Sequence, residues 1–218
     1  VIDGSFCCPP FPRARTDMVM RAAFASAALA AWGVGGALAA TVSATDFYKL
    51  SAEDIDGREF SFSSLKGAKA IVVTNVASQC GATDANYRDF AKLSSVEGVE
   101  LVAFPCNQFG RQEPGSHGEI KAFAEGYGLK VNSEGSNFHL MGKVDVNGGS
   151  THSVFTFLKG QPGPSSHDGK KVAWNFDSKF IIVCDDDKDT CKVSRLDGEI
   201  PSKALKRAGL MDLLGGEL

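Results

Sequence analysis

A cysteine stands at the junction between a predicted strand and a predicted helix. The apolar, β-branched run Ile71–Val73 precedes Cys80 and is typical of a buried strand. Tyr87, Phe90 and Leu93 follow at helical spacing. A cysteine just before a helix meets the free N–H groups and the positive end of the helix dipole, which favour the thiolate. Since the thiolate is the nucleophilic form, this stretch predicts a reactive Cys80.

The residue three positions after Cys80 limits its redox chemistry. A C-x-x-C motif would place a second cysteine at position 83, but the residue there is Thr83, which we predict to be the helix N-cap. Cys80 therefore has no local partner, and one-thiol chemistry is favoured over a dithiol shuttle. An ordinary buried cysteine after a strand is the alternative at this point.

The predicted elements around Cys80 form an α/β fold, in which a central mixed β-sheet is flanked by helices. Short strands are predicted at Phe47–Tyr48 and Glu59–Phe62, further strands at Ile71–Val73 and Val99–Phe104, helices at Glu119–Tyr127 and Val154–Leu158, a hairpin of Phe180–Val183 with Lys192–Leu196, and an amphipathic helix at Lys203–Leu214.

The first 44 residues differ in composition from the rest of the chain. The segment Met18–Arg21 is followed by Ala22–Ala44, which contains no charged residue and ends in the small residues Val42–Ala44. A targeting segment typically has a positively charged N-terminal region, then an apolar stretch, and small residues before the cleavage site. We predict that residues 1–44 direct the chain to the secretory pathway, the exterior or an organelle lumen and are removed, leaving a domain at 45–218. A retained membrane anchor is the alternative.

Composition excludes several classes of function. The 218 residues are 43% hydrophobic and 22% charged with a net charge of −3, which is ordinary for a globular protein and gives no sign of nucleic-acid binding. Six scattered cysteines and four isolated histidines indicate neither a disulfide scaffold nor a zinc site. We expect no metal and no prosthetic group.

Three motifs in order carry a family resemblance. They are Asn75–Gly81 (NVASQCG), Phe104–Gly115 (FPCNQFGRQEPG) and Trp174–Phe180 (WNFDSKF). With them the chain resembles the glutathione peroxidase family over about residues 47–214, and it is most similar to the monomeric phospholipid hydroperoxide branch. The resemblance implies a thioredoxin-like fold. Many family members carry selenocysteine where this chain has Cys80.

The resemblance also implies a catalytic tetrad of Cys80, Gln108, Trp174 and Asn175. It implies reduction of hydrogen peroxide and organic or lipid hydroperoxides through a Cys80 sulfenic acid, regenerated by glutathione or thioredoxin, in the response to oxidative stress. The residue types suit this chemistry, because amide and indole N–H groups are neutral donors that can stabilise a thiolate and a developing alkoxide.

Three departures from the family pattern refine these expectations. Glu125 stands where thioredoxin-dependent members carry a resolving cysteine, which favours glutathione or another small thiol. The pair Asp177–Ser178 makes the third motif one residue longer, which could displace Asn175. Ala82 replaces a lysine common in the phospholipid branch, which weakens any expectation of lipid head-group binding.

The alternative to an enzyme is a non-catalytic redox sensor, which would pass the oxidation of Cys80 to a partner protein.

The loop Gly160–Lys171 bears on the oligomeric state. It is short, whereas tetrameric family members carry a longer insertion there. We therefore expect a monomer, with at most transient contact with a membrane surface.

Two further cysteines border an acidic turn in the predicted hairpin. Residues that close such a turn face each other, so we predict a disulfide between Cys184 and Cys191. A calcium site is disfavoured, because Thr190 and Leu196 stand where an EF-hand loop needs glycine and glutamate. Two reduced cysteines are the alternative, which a reducing compartment would enforce.

Overall fold

A computed structural model describes residues 40–161 and 171–215. The described residues belong to one compact unit. The leading segment before Ala40 and most of the loop Gly160–Lys171 lie outside them, so the predictions made for those stretches stay predictions. None of the described helices has both the length and the apolar character needed to cross a bilayer.

A six-stranded mixed sheet forms the centre of this unit. The strands are β1 (Ala40–Ser43), β4 (Ala70–Val76), β5 (Val99–Pro105), β6 (Phe138–Leu140), β7 (Ser178–Asp185) and β8 (Thr190–Asp197), in the order β1-β8-β7-β4-β5-β6. β4, β5 and β6 are parallel to one another, and β7 and β8 form an antiparallel hairpin beside β4. A separate two-stranded sheet joins β2 (Ser51–Glu53) to β3 (Glu59–Ser61).

Helices cover both faces of the sheet. They are α1 (Ala44–Tyr48), α2 (Thr83–Leu93), α3 (His117–Glu125), α4 (Ser153–Lys159) and α5 (Pro201–Arg207). Alternate strand residues point to opposite faces. Val72 therefore joins a core with residues of α2, α3 and α5, whereas Val73 joins a second core with residues of α1 and α4. The predicted mixed sheet flanked by helices and the thioredoxin-like fold are confirmed.

Two predicted elements are wrong in detail. Phe47–Tyr48 lie in α1, not in a strand, because Ser43 caps a helix by accepting from the backbone N–H of Asp46 (3.3 Å). The single last helix is broken: α5 ends at Arg207, and a short 3₁₀ turn follows at Met211–Leu214. Gly209 causes the break, since its φ of 84° lies in the left-handed region that ends helices.

The folded unit starts earlier than the predicted domain boundary after Ala44. β1 pairs with β8 in register from Ala40 opposite Val193 to Ser43 opposite Thr190, and the side chain of Ala40 is buried. Asp189 then accepts hydrogen bonds from the backbone and hydroxyl groups of Thr45 (both 2.8 Å). A cut after Ala44 would remove an edge strand that shields β8.

The hairpin carries the predicted disulfide. Cys184 lies opposite Cys191 in the β7–β8 register, and their sulfur atoms are bonded. Among the described residues, no group of three or more His, Cys, Asp or Glu side chains is arranged to hold a metal ion.

Reducing this disulfide is expected to lower the free energy of unfolding by up to about 2.5 kcal/mol, because the bond closes a short loop in the unfolded chain. Urea unfolding with and without a thiol reductant measures the difference, and a Cys184→Ala/Cys191→Ala variant should not respond to reductant. Equal stability of the oxidised and reduced chains would contradict the prediction.

Candidate active site

Cys80 lies in the turn between the end of β4 and the start of α2, and it is half-buried. The helix begins at Thr83 and Ala82 is its N-cap, so the N-cap predicted at Thr83 is wrong by one residue. The Thr83 hydroxyl instead closes the turn: it donates to the carbonyl of Ala77 (2.7 Å) and accepts from the N–H of Cys80 (3.1 Å). The N–H of Ala82 points at the Cys80 sulfur, 3.5 Å away.

The loop of the second motif is pinned against this turn. The N–H of Gln79 donates to the carbonyl of Gln112 (3.0 Å), and the hydroxyl of Ser78 donates to Oε1 of Glu113 (2.7 Å). The N–H of Glu113 donates in turn to Oδ1 of Asn107 (2.9 Å). Residues 107–113 are therefore held directly beside the cysteine turn.

The third motif is fastened to the end of β4 through Asn75. The N–H of Phe176 donates to the carbonyl of Asn75 (3.1 Å), and Nδ2 of Asn75 donates to the carbonyl of Trp174 (3.3 Å). Phe176 has a φ of 59°, which turns the chain sharply after Asn175. Trp174 remains 47% exposed, with its ring 5.7 Å from that of Phe109.

Asn175 is buried, and its amide faces the second motif. Its Nδ2 donates to Oε1 of Gln112 (3.0 Å) and to the carbonyl of Phe109 (3.4 Å). Gln112 thus joins the predicted tetrad residue Asn175 to the backbone beside Cys80. Sequence reasoning missed Gln112, although it lies within a motif that carries the resemblance.

Gln108 is turned toward a different part of the chain. Its Oε1 accepts from the N–H groups of Val146 (2.9 Å) and Asn147 (3.0 Å), and its Nε2 donates to the carbonyl of Asn147 (2.9 Å). Among residues 40–161 and 171–215, no tetrad side chain donates a hydrogen bond to the Cys80 sulfur, whose donor is the N–H of Ala82.

One cavity nevertheless brings three parts of the candidate site together. It has a volume of about 290 Å³, and its walls include Ala82 at the start of α2, together with Trp174 and Asn175. Cys80 is not among the residues that line this cavity, but the N–H of the lining residue Ala82 is 3.5 Å from the Cys80 sulfur. The cavity therefore joins Trp174 and Asn175 to the residue that contacts Cys80.

The other free cysteine is placed for packing. Cys106 is fully buried, and burial raises the pKa of its thiol. Its S–H group lies 3.8 Å from Oε1 of Gln108. A buried thiol with a raised pKa is inert, as expected for a small hydrophobic residue.

Glu113 is a buried acid beside the cysteine turn, and burial raises its pKa above the ordinary 4.5. As the pH rises above 4.5, the unfolded chain loses this proton while the folded chain keeps it, so Glu113 makes stability fall with pH until its folded pKa is passed. A Glu113→Gln variant should lose less stability than wild type between pH 4.5 and 7 in urea titrations. Parallel pH profiles for the two proteins would show that Glu113 has no such role.

Comparison with known proteins decides the family. The family model for glutathione peroxidase matches residues 47–159. The phospholipid hydroperoxide glutathione peroxidase of Bos taurus is 40% identical over 188 residues, which cover 83% of this chain and 89% of that protein. The chain belongs to the glutathione peroxidase family. Members of this family are peroxidase oxidoreductases that reduce hydroperoxides with thiols.

Other relatives agree with this placement. Glutathione peroxidase 1, mitochondrial, of Chlamydomonas reinhardtii is 45% identical over 151 residues, covering 68% of this chain and 70% of that protein. Among solved structures, the apo crystal structure of Trgpx matches with a TM-score of 0.53 and 25% identity, covering 80% of this chain and 97% of that chain.

Proposed function

We propose that this protein reduces hydrogen peroxide and organic or lipid hydroperoxides in the response to oxidative stress, with Cys80 as the peroxidatic residue. The observation that carries the proposal is the position of Cys80 in the turn before α2, where the N–H of Ala82 contacts its sulfur and Ala82 lines a cavity together with Trp174 and Asn175. The Cys80 thiolate attacks one peroxide oxygen, an S–O bond forms and the O–O bond breaks. The sulfur is oxidised to a sulfenic acid, and the leaving oxygen takes a proton to become an alcohol or water.

Two external thiols complete the cycle. The first forms a disulfide with Cys80 and releases water, and the second releases the disulfide of the two thiols and restores Cys80. Glutathione or another small thiol suits this role better than thioredoxin, because residue 125 at the end of α3 is a glutamate and not a resolving cysteine.

The roles of the remaining tetrad residues follow from their donors. Trp174 supplies an indole N–H beside the cavity, a neutral donor that can stabilise the thiolate and the developing alkoxide. The Asn175 amide donates its two hydrogens to Gln112 and to the carbonyl of Phe109, so its role is to hold the third motif against the second. Gln108 must rotate away from Asn147 before its amide can serve the sulfur.

Steady-state peroxide reduction with glutathione and thioredoxin supplied separately tests the proposal. We expect continuous turnover with glutathione and slower turnover with thioredoxin. Consumption of one peroxide per protein chain, with neither reductant sustaining the reaction, would instead favour the redox sensor. The orientation of Gln108 is the observation on which that second candidate rests.

We also propose that the leading segment is removed before Ala40, because β1 is part of the folded unit. Ala37 and Ala39 provide the two small residues of an A-x-A sequence for such a cut. The Cys184–Cys191 disulfide supports delivery to an oxidising compartment. The intact mass of native protein should correspond to a monomer that begins at Ala40, and an N-terminus at Thr45 or at the initiating methionine would count against this processing.

A further inference from the structure

The cavity lined by Ala82, Trp174 and Asn175 contains a group of unpartnered hydrogen-bond acceptors. Asn86, Asp177 and Glu199 all line it, and each has a buried side-chain oxygen without a hydrogen-bond partner: Oδ1, Oδ2 and Oε2, respectively. The residue Asn86 is only 4% exposed. Unpartnered buried acceptors are costly, so three of them in one cavity indicate a place for a ligand rich in N–H donors.

Two of these three acceptors are carboxylate oxygens, which favour a cation as the donor, because hydrogen bonds between charged groups are stronger than neutral ones. Glu199 contacts Arg207 through Oε1 (2.8 Å), and the ammonium of Lys179, which also lines the cavity, donates to the carbonyl of Phe176. Oε2 of Glu199 and Oδ2 of Asp177 accept no hydrogen bond within the described residues.

One wall of the cavity departs from the family pattern. Asp177 belongs to the Asp177–Ser178 pair that makes the third motif longer than the family pattern. The N–H of Asp177 closes onto the carbonyl of Trp174 (3.4 Å), so the longer turn adds a carboxylate next to the tetrad. The opposite wall includes Ala82, whose N–H contacts the Cys80 sulfur.

We propose that this cavity binds the protonated amine of the thiol that reduces Cys80. A thiol bonded to the Cys80 sulfur lies next to the cavity, and its ammonium donates to Asp177, Glu199 and Asn86. This proposal rests on the proposed function for its physiological meaning. It makes the electron donor an amine-bearing thiol, a class that includes glutathione, and disfavours purely anionic thiols.

Thiol–disulfide exchange tests this site without any peroxide. The reduced Cys80 thiolate attacks cystamine, which carries two ammonium groups, or 3,3′-dithiodipropionate, which carries two carboxylates; a mixed disulfide forms on Cys80 and one free thiolate leaves. Mass spectrometry follows both rates. We expect wild type to prefer cystamine, and Asp177→Asn or Glu199→Gln to lower the ratio of the two rates by about tenfold or more, the value of a hydrogen bond to a charged group.

The ratio cancels any general loss of Cys80 reactivity, since the same thiolate attacks both reagents. Asp187→Asn, on the exposed turn after β7, removes the same charge far from the cavity and should leave the ratio unchanged. An equal ratio in wild type, Asp177→Asn and Glu199→Gln would overturn the amine site. If wild type prefers cystamine over 3,3′-dithiodipropionate but does not reduce peroxide with thiols, the amine site stands and only the proposed function is overturned.

Discussion

Replacing Cys80 with serine is expected to abolish thiol-dependent peroxide consumption, with a loss of kcat/KM of at least about 10³-fold. A serine hydroxyl at this position is not ionised at neutral pH, and it cannot form the sulfenic acid on which the cycle depends. Glutathione-coupled peroxide reduction measures the loss, with hydrogen peroxide and an organic hydroperoxide as separate substrates.

Cys106→Ala is the matched control for this substitution. Cys106 is the other free cysteine of the described residues, but it is fully buried and its thiol pKa is raised. The control should keep its turnover. Wild-type turnover in Cys80→Ser, or loss of turnover only in Cys106→Ala, would move the peroxidatic role away from Cys80.

Replacing Asn175 with alanine is expected to lower kcat/KM for peroxide by about 10²-fold, because its amide holds the second and third motifs together and small displacements at a reacting centre cost about that much. Gln112→Ala should lower it less, because Gln112 acts by holding the Asn175 amide at 3.0 Å. The two losses of kcat/KM should not add in the double variant. Once Asn175 is alanine, the Gln112 side chain has no amide to hold, so its removal should have little further effect on activity.

The double-mutant cycle distinguishes positioning from simple stabilisation. Activity is measured for the wild type, both single variants and the double variant, together with their free energies of unfolding. If the two substitutions are non-additive in kcat/KM but additive in the free energy of unfolding, Gln112 acts by positioning Asn175. Losses that multiply in the double variant would show that the two residues act independently.

The elements that depend on hydrophobic spacing were predictable from sequence. β4, β5, α2 and the β7–β8 hairpin follow from runs and periods of apolar residues. The disulfide followed from the same hairpin, since Cys184 and Cys191 close its turn. α1 and the break at Gly209 depend instead on single capping and left-handed residues, which a periodic pattern does not reveal.

The residue types of the candidate site could be predicted from the motifs, but their orientations could not. Trp174 and Asn175 line one cavity with Ala82, and the catalytic roles of the tetrad stay a prediction. The direction of the Gln108 amide depends on backbone N–H groups at Val146 and Asn147, almost forty residues away in the chain. The contact between Gln112 and Asn175 joins two loops, so it too could be found only in three dimensions.

Trapping of the oxidised cysteine tests the central claim most directly. The reduced protein is treated with one equivalent of hydroperoxide in the presence of dimedone, which labels sulfenic acids, and the modified residue is identified by peptide mass spectrometry. We expect the label on Cys80, and we expect glutathione added before dimedone to replace it with a glutathione disulfide on the same residue. Peroxide consumption without modification of Cys80, or with the label on Cys106, would contradict the account.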